Sequence, residues 1–215
     1  MKVQRIFEAV QTWGTYAGAP TSMVEFASDK KELPSVAAPY VLGKLLEINP
    51  QPRYVGLVGN DPAKESVNDM EALLSSLMSW VGSRNLARVI LQTHGECATL
   101  ALVTKYRQLL SMNVVVDCTK PLVVLRSAFE RLSAVDRMIF LCASADVPDE
   151  APLGIMEEMS KMHTCNPVIE IRVRDVSSGR VVTSWRNFRR RFDIRVMVDP
   201  IGDMPLRRSK PAGAA

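Results

Sequence analysis

The chain has 215 residues, of which 47% are hydrophobic and 23% charged. A protein of this size and composition is expected to fold around its own core without a metal or a disulfide, which argues against a largely disordered chain. No run of about 18 apolar residues occurs, so no membrane span is expected. The charge is uneven: residues 1–165 carry 16 basic and 18 acidic side chains, whereas residues 166–215 carry 11 and five.

The first 53 residues are predicted to form an N-terminal helix and a proline-rich extension. The apolar residues of the first segment occur at helical spacing, at Val3, Ile6, Phe7 and Val10. Residues 14–53 contain five prolines and one segment, 40–47, that favours a short helix. We expect this stretch to wrap the domain or a partner, because long irregular segments rarely lie inside a compact domain.

Residues 54–198 are predicted to form one α/β domain. Short apolar runs predict strands near residues 54–58, 88–92, 114–116 and 138–142, and the segments between them have helical periodicity. Strands that are apolar throughout are typical of a parallel sheet buried on both faces. We therefore expect a Rossmann-like, mainly parallel sheet with helices on both faces.

The C-terminal part has a different pattern. Residues 168–174 and 180–186 alternate apolar and polar side chains around a Ser-Ser-Gly turn, which predicts an antiparallel hairpin with one basic face. Another strand is expected over residues 192–198, followed by a basic, mobile tail over residues 199–215.

Arginines alternate with aromatic residues in the segment before that last strand. Arginine binds phosphate groups, and exposed aromatic rings stack on unpaired bases. The candidate residues for binding RNA or an acidic protein surface are Trp185, Arg186, Phe188, Arg189, Arg190, Arg191 and, a few residues later, Arg195. The competing interpretation is an edge strand whose arginines are only solvated.

Carboxylates follow three of the predicted strands, at Glu96, Asp117, Asp146 and Asp149. The carboxyl ends of parallel strands form the edge at which α/β sheets bind ligands. Carboxylates gathered there could hold Mg²⁺ or Mn²⁺, which activates water against a phosphodiester. The alternative is that these residues simply cap the helices that follow.

Two segments resemble NYN/PIN-like nuclease domains, over roughly residues 86–173. One is His94-Gly-Glu-Cys97; the other, residues 135–153, has an aspartate before an apolar strand, then Ser-Ala-Asp-Val-Pro-Asp, then Pro-Leu opening a helix. The resemblance implies a Rossmann-like fold and metal-dependent ribonuclease activity. However, His94 stands where the family has its first metal-binding aspartate, and Cys97 replaces an asparagine. The resemblance therefore implies a degenerate nuclease.

No complete cofactor motif is present. In a phosphate-binding loop that began at Gly59, the lysine position would hold Glu65, and GxGxxG is absent. The four cysteines form no CxxC pair, which indicates free thiols in a reducing compartment, either the cytoplasm or an organelle matrix. We expect a non-catalytic α/β protein without a cofactor that binds protein partners in an RNA-associated assembly. A ribonuclease that uses Mg²⁺ or Mn²⁺ is the alternative.

Overall fold

The structure is a computed structural model that describes residues 1–11, 16–27, 32–93 and 100–116, together with the backbone of three later strands. The strands are β1 (Val3–Val10), β2 (Pro20–Phe26), β3 (Tyr54–Gly59), β4 (Arg88–Thr93), β5 (Leu110–Val116), β6 (Met138–Ala143), β7 (Val168–Val173) and β8 (Asp193–Val198). The helices are α1 (Ala38–Ile48), α2 (Val67–Ser79) and α3 (Leu100–Lys105), with a 3-10 turn at Pro62–Lys64.

All eight strands belong to one sheet, and they lie in it in the same order as in the chain. β1 and β2 are antiparallel. Every other neighbouring pair, from β2–β3 to β7–β8, is parallel. The mainly parallel α/β sheet predicted from the alternating pattern is therefore confirmed.

The described helices lie on one face of this sheet, which we call the helix face. α1 packs against α2, β1 and β2. Lys105 at the end of α3 forms an ion pair with Glu71 of α2, and this hydrogen bond raises the pKa of Lys105. Each crossover leads to the next strand in the same direction across the sheet. When such crossovers are all right-handed, their helices lie on the same side of the sheet. Helices were expected on both faces of the sheet, and for the described helices this expectation is wrong. In a Rossmann-like sheet the strand order reverses direction at one point, and the described strand order has no such reversal.

β1 is a strand where a helix was predicted. Helical spacing and the alternation of a strand are both compatible with its few apolar residues, and pairing with β2 decides between them. β2 is an inner strand between β1 and β3, although it falls in the predicted extension. The predicted short helix at residues 40–47 is confirmed by α1. Residues 1–53 thus supply an edge strand, an inner strand and a helix to the sheet.

The core of the described region lies between the helix face and α1 and α2. Its strand residues are buried, and they include Val24, Phe26, Val55, Leu57, Val89, Leu91 and Met112. The helices contribute Val41, Leu45, Met70, Leu73 and Leu77, also buried. α2 begins with a side-chain cap, because the Ser66 Oγ accepts a hydrogen bond from the Asp69 backbone N–H at 3.1 Å.

β7 is not the first strand of an antiparallel hairpin, contrary to the prediction. It lies between β6 and β8 and is parallel to both, so that Glu170 stands opposite Leu141 on one side and Arg195 on the other. These two parallel neighbours occupy both sides of β7, and the predicted partner segment, residues 180–186, lies outside the described residues. A parallel pair needs a crossover of a dozen or more residues, and 19 residues separate β7 from β8 in the sequence. The predicted strand at 192–198 is confirmed by β8.

Candidate functional site

A row of mainly polar side chains crosses the sheet on the face opposite the described helices. Glu8 marks the helix face, because its carboxylate accepts a hydrogen bond from Asn49, next to α1, at 2.9 Å. Its neighbours two positions apart in β1 share that face, whereas Arg5, Phe7 and Ala9 point the other way. The pairing of β1 to β5 then puts the following residues on the opposite face, near the carboxyl ends of β2 to β5: Arg5, Glu25, Val58, Gln92 and Asn113.

A cavity of about 190 Å³ lies on this face over β1 to β4. Its apolar walls come from Phe7, Ala9, Val10, Met23 and Val58. Its polar lining comes from Arg5, Gln11, Glu25 and Gln92. Four strands therefore build one concave site, which combines a mostly apolar interior with few polar groups, as ligand pockets do.

The two charged residues of the cavity form an ion pair. Arg5 Nε donates a hydrogen bond to Glu25 Oε2. The Arg5 guanidinium carbon also lies 4.4 Å from the centre of the Phe7 ring, a cation–π contact that fixes its position. The Arg5 side chain is 41% exposed and that of Glu25 is 23% exposed, so solvent reaches both charged groups. The terminal guanidinium nitrogens make no hydrogen bond to the described residues.

Two glycines of β3 affect the cavity: Gly59 lines it, and Gly56 lies next to the Met23 side chain that forms one of its walls. A Cβ atom on Gly56 would lie 2.3 Å from the Met23 Sδ, so only glycine leaves room for that side chain. Gly59 has φ +102°, and a Cβ atom there would lie 2.4 Å from the Phe26 carbonyl oxygen. At Gly59 a Cβ atom would therefore collide with backbone atoms. The same residue begins the turn that leads to α2.

The polar row continues into the sheet on β5. Ser111 and Asn113 are buried on this face, and the Ser111 Oγ and Asn113 Oδ1 have no hydrogen-bond partner among the described residues. Buried polar atoms without a partner carry an unfavourable desolvation energy. Asn113 pairs in register with Gln92, which lines the cavity. The polar character of the row is thus maintained at a cost in stability.

The predicted carboxylates Glu96, Asp117, Asp146 and Asp149 lie outside the described residues. The strands that they follow are described, and β4, β5 and β6 are parallel neighbours. Their last residues, Thr93, Val116 and Ala143, therefore stand at the same edge of the sheet. Within the part of the chain that the structure describes, no group of three or more His, Cys, Asp or Glu could hold a metal.

Most of the predicted partner-binding segment also lies outside the described residues. This applies to Trp185, Arg186, Phe188, Arg189, Arg190 and Arg191. Arg195 is in β8, where its backbone pairs with that of Glu170. Among the described strands β8 has only β7 beside it, so it forms one end of the sheet and β1 forms the other.

The cavity residues were missed by the sequence analysis, because β1 was interpreted as a helix and β2 as an extension. The signal that could have found them is the alternation in β2, where Thr21, Met23 and Glu25 share one face and Ser22, Val24 and Phe26 the other. The same alternation in β1 puts Arg5 and Phe7 together.

No described helix has the length and apolar character that crossing a bilayer requires. The chain matches no model of a known protein family, and it matches no characterised protein.

Proposed function

We propose that the protein is a non-catalytic binding subunit of a larger assembly, and that the arginine-rich segment at residues 186–191 attaches it to RNA. Arginine-rich segments with interleaved aromatic residues combine phosphate contacts with stacking on unpaired bases. Residues 166–215 carry an excess of six basic side chains, whereas the rest of the chain has an excess of two acidic ones. The attraction to a polyanion is thus concentrated in one part of the chain.

The observation that carries this proposal is the position of β8. The arginine-rich segment runs directly into this strand, and β8 is the last strand at one end of the described sheet. A segment joined to a terminal strand starts at the periphery of the sheet. Arg195 follows within β8 itself.

The experiment compares RNA binding by the wild type and by the Arg189→Ala, Arg190→Ala, Arg191→Ala triple variant over a range of salt concentrations. Affinity for a single-stranded RNA is expected to fall with salt, with a log–log slope of about −0.7 per neutralised phosphate. If the three arginines contact two to three phosphates, the slope of the variant becomes shallower by about 1.4 to 2.1.

A matched control removes three exposed basic side chains elsewhere, with Arg53→Ala, Lys64→Ala and Arg107→Ala. The proposal expects near wild-type binding from this control. Equal losses in both triple variants would mean that only net charge matters. If the segment variant binds RNA as the wild type does but loses a protein partner, the segment recognises an acidic protein surface instead.

A metal-dependent ribonuclease is the second candidate function. The observation that favours it is the adjacency of β4, β5 and β6, which brings the starts of the carboxylate-bearing segments to one edge. Asp146 and Asp149 would then hold the ion, with Glu96 and Asp117. His94 stands where NYN/PIN-like nucleases have their first metal-binding aspartate, and Cys97 replaces an asparagine, so we rank this function second. If the protein cleaves single-stranded RNA in the presence of Mn²⁺, and Asp146→Asn abolishes the cleavage, the ribonuclease becomes the preferred function.

A further inference from the structure

We propose that the cavity on the opposite face binds a free α-amino acid with an apolar side chain. This site is separate from the arginine-rich segment, and the inference does not depend on the proposed role in RNA binding. Three properties of the cavity lead to this class of ligand: its paired charges, its mainly apolar lining and its volume.

The paired charges match a zwitterion. An α-amino acid carries a carboxylate and an ammonium group on a single carbon. The terminal nitrogens of Arg5 have no hydrogen-bond partner in the part of the chain that the structure describes, and they can donate to the carboxylate, since the guanidinium is held through Nε. Glu25 is bonded to Arg5 through Oε2, which leaves Oε1 for the ammonium group. A zwitterion keeps the site neutral, whereas a purely anionic ligand would face Glu25 and a purely cationic one would face Arg5.

The interior matches an apolar side chain. Beside the ion pair the cavity is walled by Phe7, Met23 and Val58. These three side chains offer little hydrogen bonding, so a polar ligand group placed against them would lose its hydrogen bonds to water. The methionine wall is also adaptable, because Met has three rotatable bonds and fills irregular spaces. This wall suits aliphatic, thioether or aromatic side chains of different shapes.

The volume of the cavity fits a small ligand. Pockets for drug-sized molecules measure about 300–1,000 Å³. This cavity is open to solvent and measures about 190 Å³, which is enough for a single amino acid. The binding groups are also held in position before binding, because Arg5 is fixed both by Glu25 and by the Phe7 ring.

The test is calorimetric titration of the full chain with L-leucine, L-methionine and L-phenylalanine, together with thermal melting in the presence of each. We expect measurable heat and a raised melting temperature with at least one. N-acetyl-leucine lacks the ammonium group and leucinamide lacks the carboxylate, so both are expected to bind at least tenfold more weakly than leucine. Equal binding of either analogue would overturn the zwitterion assignment.

Variants connect the binding to the cavity. Arg5→Gln and Glu25→Gln are each expected to weaken binding at least tenfold. The controls are Lys105→Gln and Glu71→Gln, which remove another exposed ion pair on the helix face and should leave the affinity unchanged. Ala9→Leu keeps the charges but fills the cavity, and it should abolish binding.

The proposal is overturned if none of the three amino acids binds, or if Arg5→Gln, Glu25→Gln and Ala9→Leu all bind as the wild type does. Circular dichroism and the melting temperature of each variant without ligand show whether it is folded. A variant that fails to fold is replaced in the comparison by either of the other two, since each alters a different group of the same cavity.

Discussion

Met23 on β2 occupies the space that a side chain at position 56 of β3 would need. The Cβ of an alanine at Gly56 would lie 2.3 Å from the Met23 Sδ, whereas real contacts of this kind are longer than 3.0 Å. The obstacle is a flexible side chain and not the backbone. Replacement of the glycine is therefore possible only if Met23 moves, and Met23 is also a wall of the cavity.

Gly56→Ala is expected to destabilise the protein by about 1–3 kcal/mol, as overpacked cores do. Combining it with Met23→Ala removes the clash, so the double variant should be more stable than the sum of the single effects predicts. Urea unfolding of the four proteins in this cycle measures the coupling. Additive effects would show that the two residues do not compete for space.

Gly59→Ala should be more harmful than Gly56→Ala. The obstacle at this position is the Phe26 carbonyl oxygen, and φ +102° is unfavourable for any residue with a Cβ atom. The control is Gly43→Ala in α1, where a Cβ meets nothing within 4 Å. That change should stabilise the protein by about 0.5–1 kcal/mol, because alanine is the better helix former. Chemical denaturation of both variants checks the opposite signs.

Two serine-to-alanine changes should also have opposite signs. Ser66→Ala removes the cap of α2 and is expected to cost about 1 kcal/mol of stability. Ser111→Ala removes a buried hydroxyl without a partner among the described residues, so the stability should rise by about 1 kcal/mol. Thermal melting of the two variants under one condition gives the comparison. A loss of stability in Ser111→Ala would mean that its hydroxyl is bonded in solution.

Phe26→Ala tests whether β2 belongs to the core. The side chain is 1% exposed, and its removal is expected to cost about 3–5 kcal/mol. Val10→Ala at the end of β1 is the comparison, because Val10 is 57% exposed and should change the stability by less than about 0.5 kcal/mol. If both changes were equally mild, residues 14–53 would behave as the extension that their composition suggests.

The sequence was informative where strands are apolar throughout. β3 to β6 were predicted near their observed positions, because a run such as Tyr54–Gly59 between turn residues has few alternatives. β1 and β2 were not predicted. Their mixture of apolar and polar residues is compatible with more than one secondary structure, and only the pairing of the two strands identifies them as strands. The cavity depends on those two strands, so it could not be predicted either. The hairpin was wrong for a related reason: alternation in β7 predicts a strand but not its neighbours.

The order of the strands in the sheet has a consequence for how the protein folds and communicates. In the described sheet each strand pairs only with the strands that precede and follow it in the chain, although paired residues such as Ser22 and Val55 are far apart in sequence. Stability in such an array is approximately a sum of nearest-neighbour interactions, as in a one-dimensional chain of coupled units. Seven inter-strand spacings of about 4.8 Å separate β1 from β8, or about 34 Å in all. Local unfolding at one end strand can therefore affect the strand at the opposite end only through the strands that lie between them.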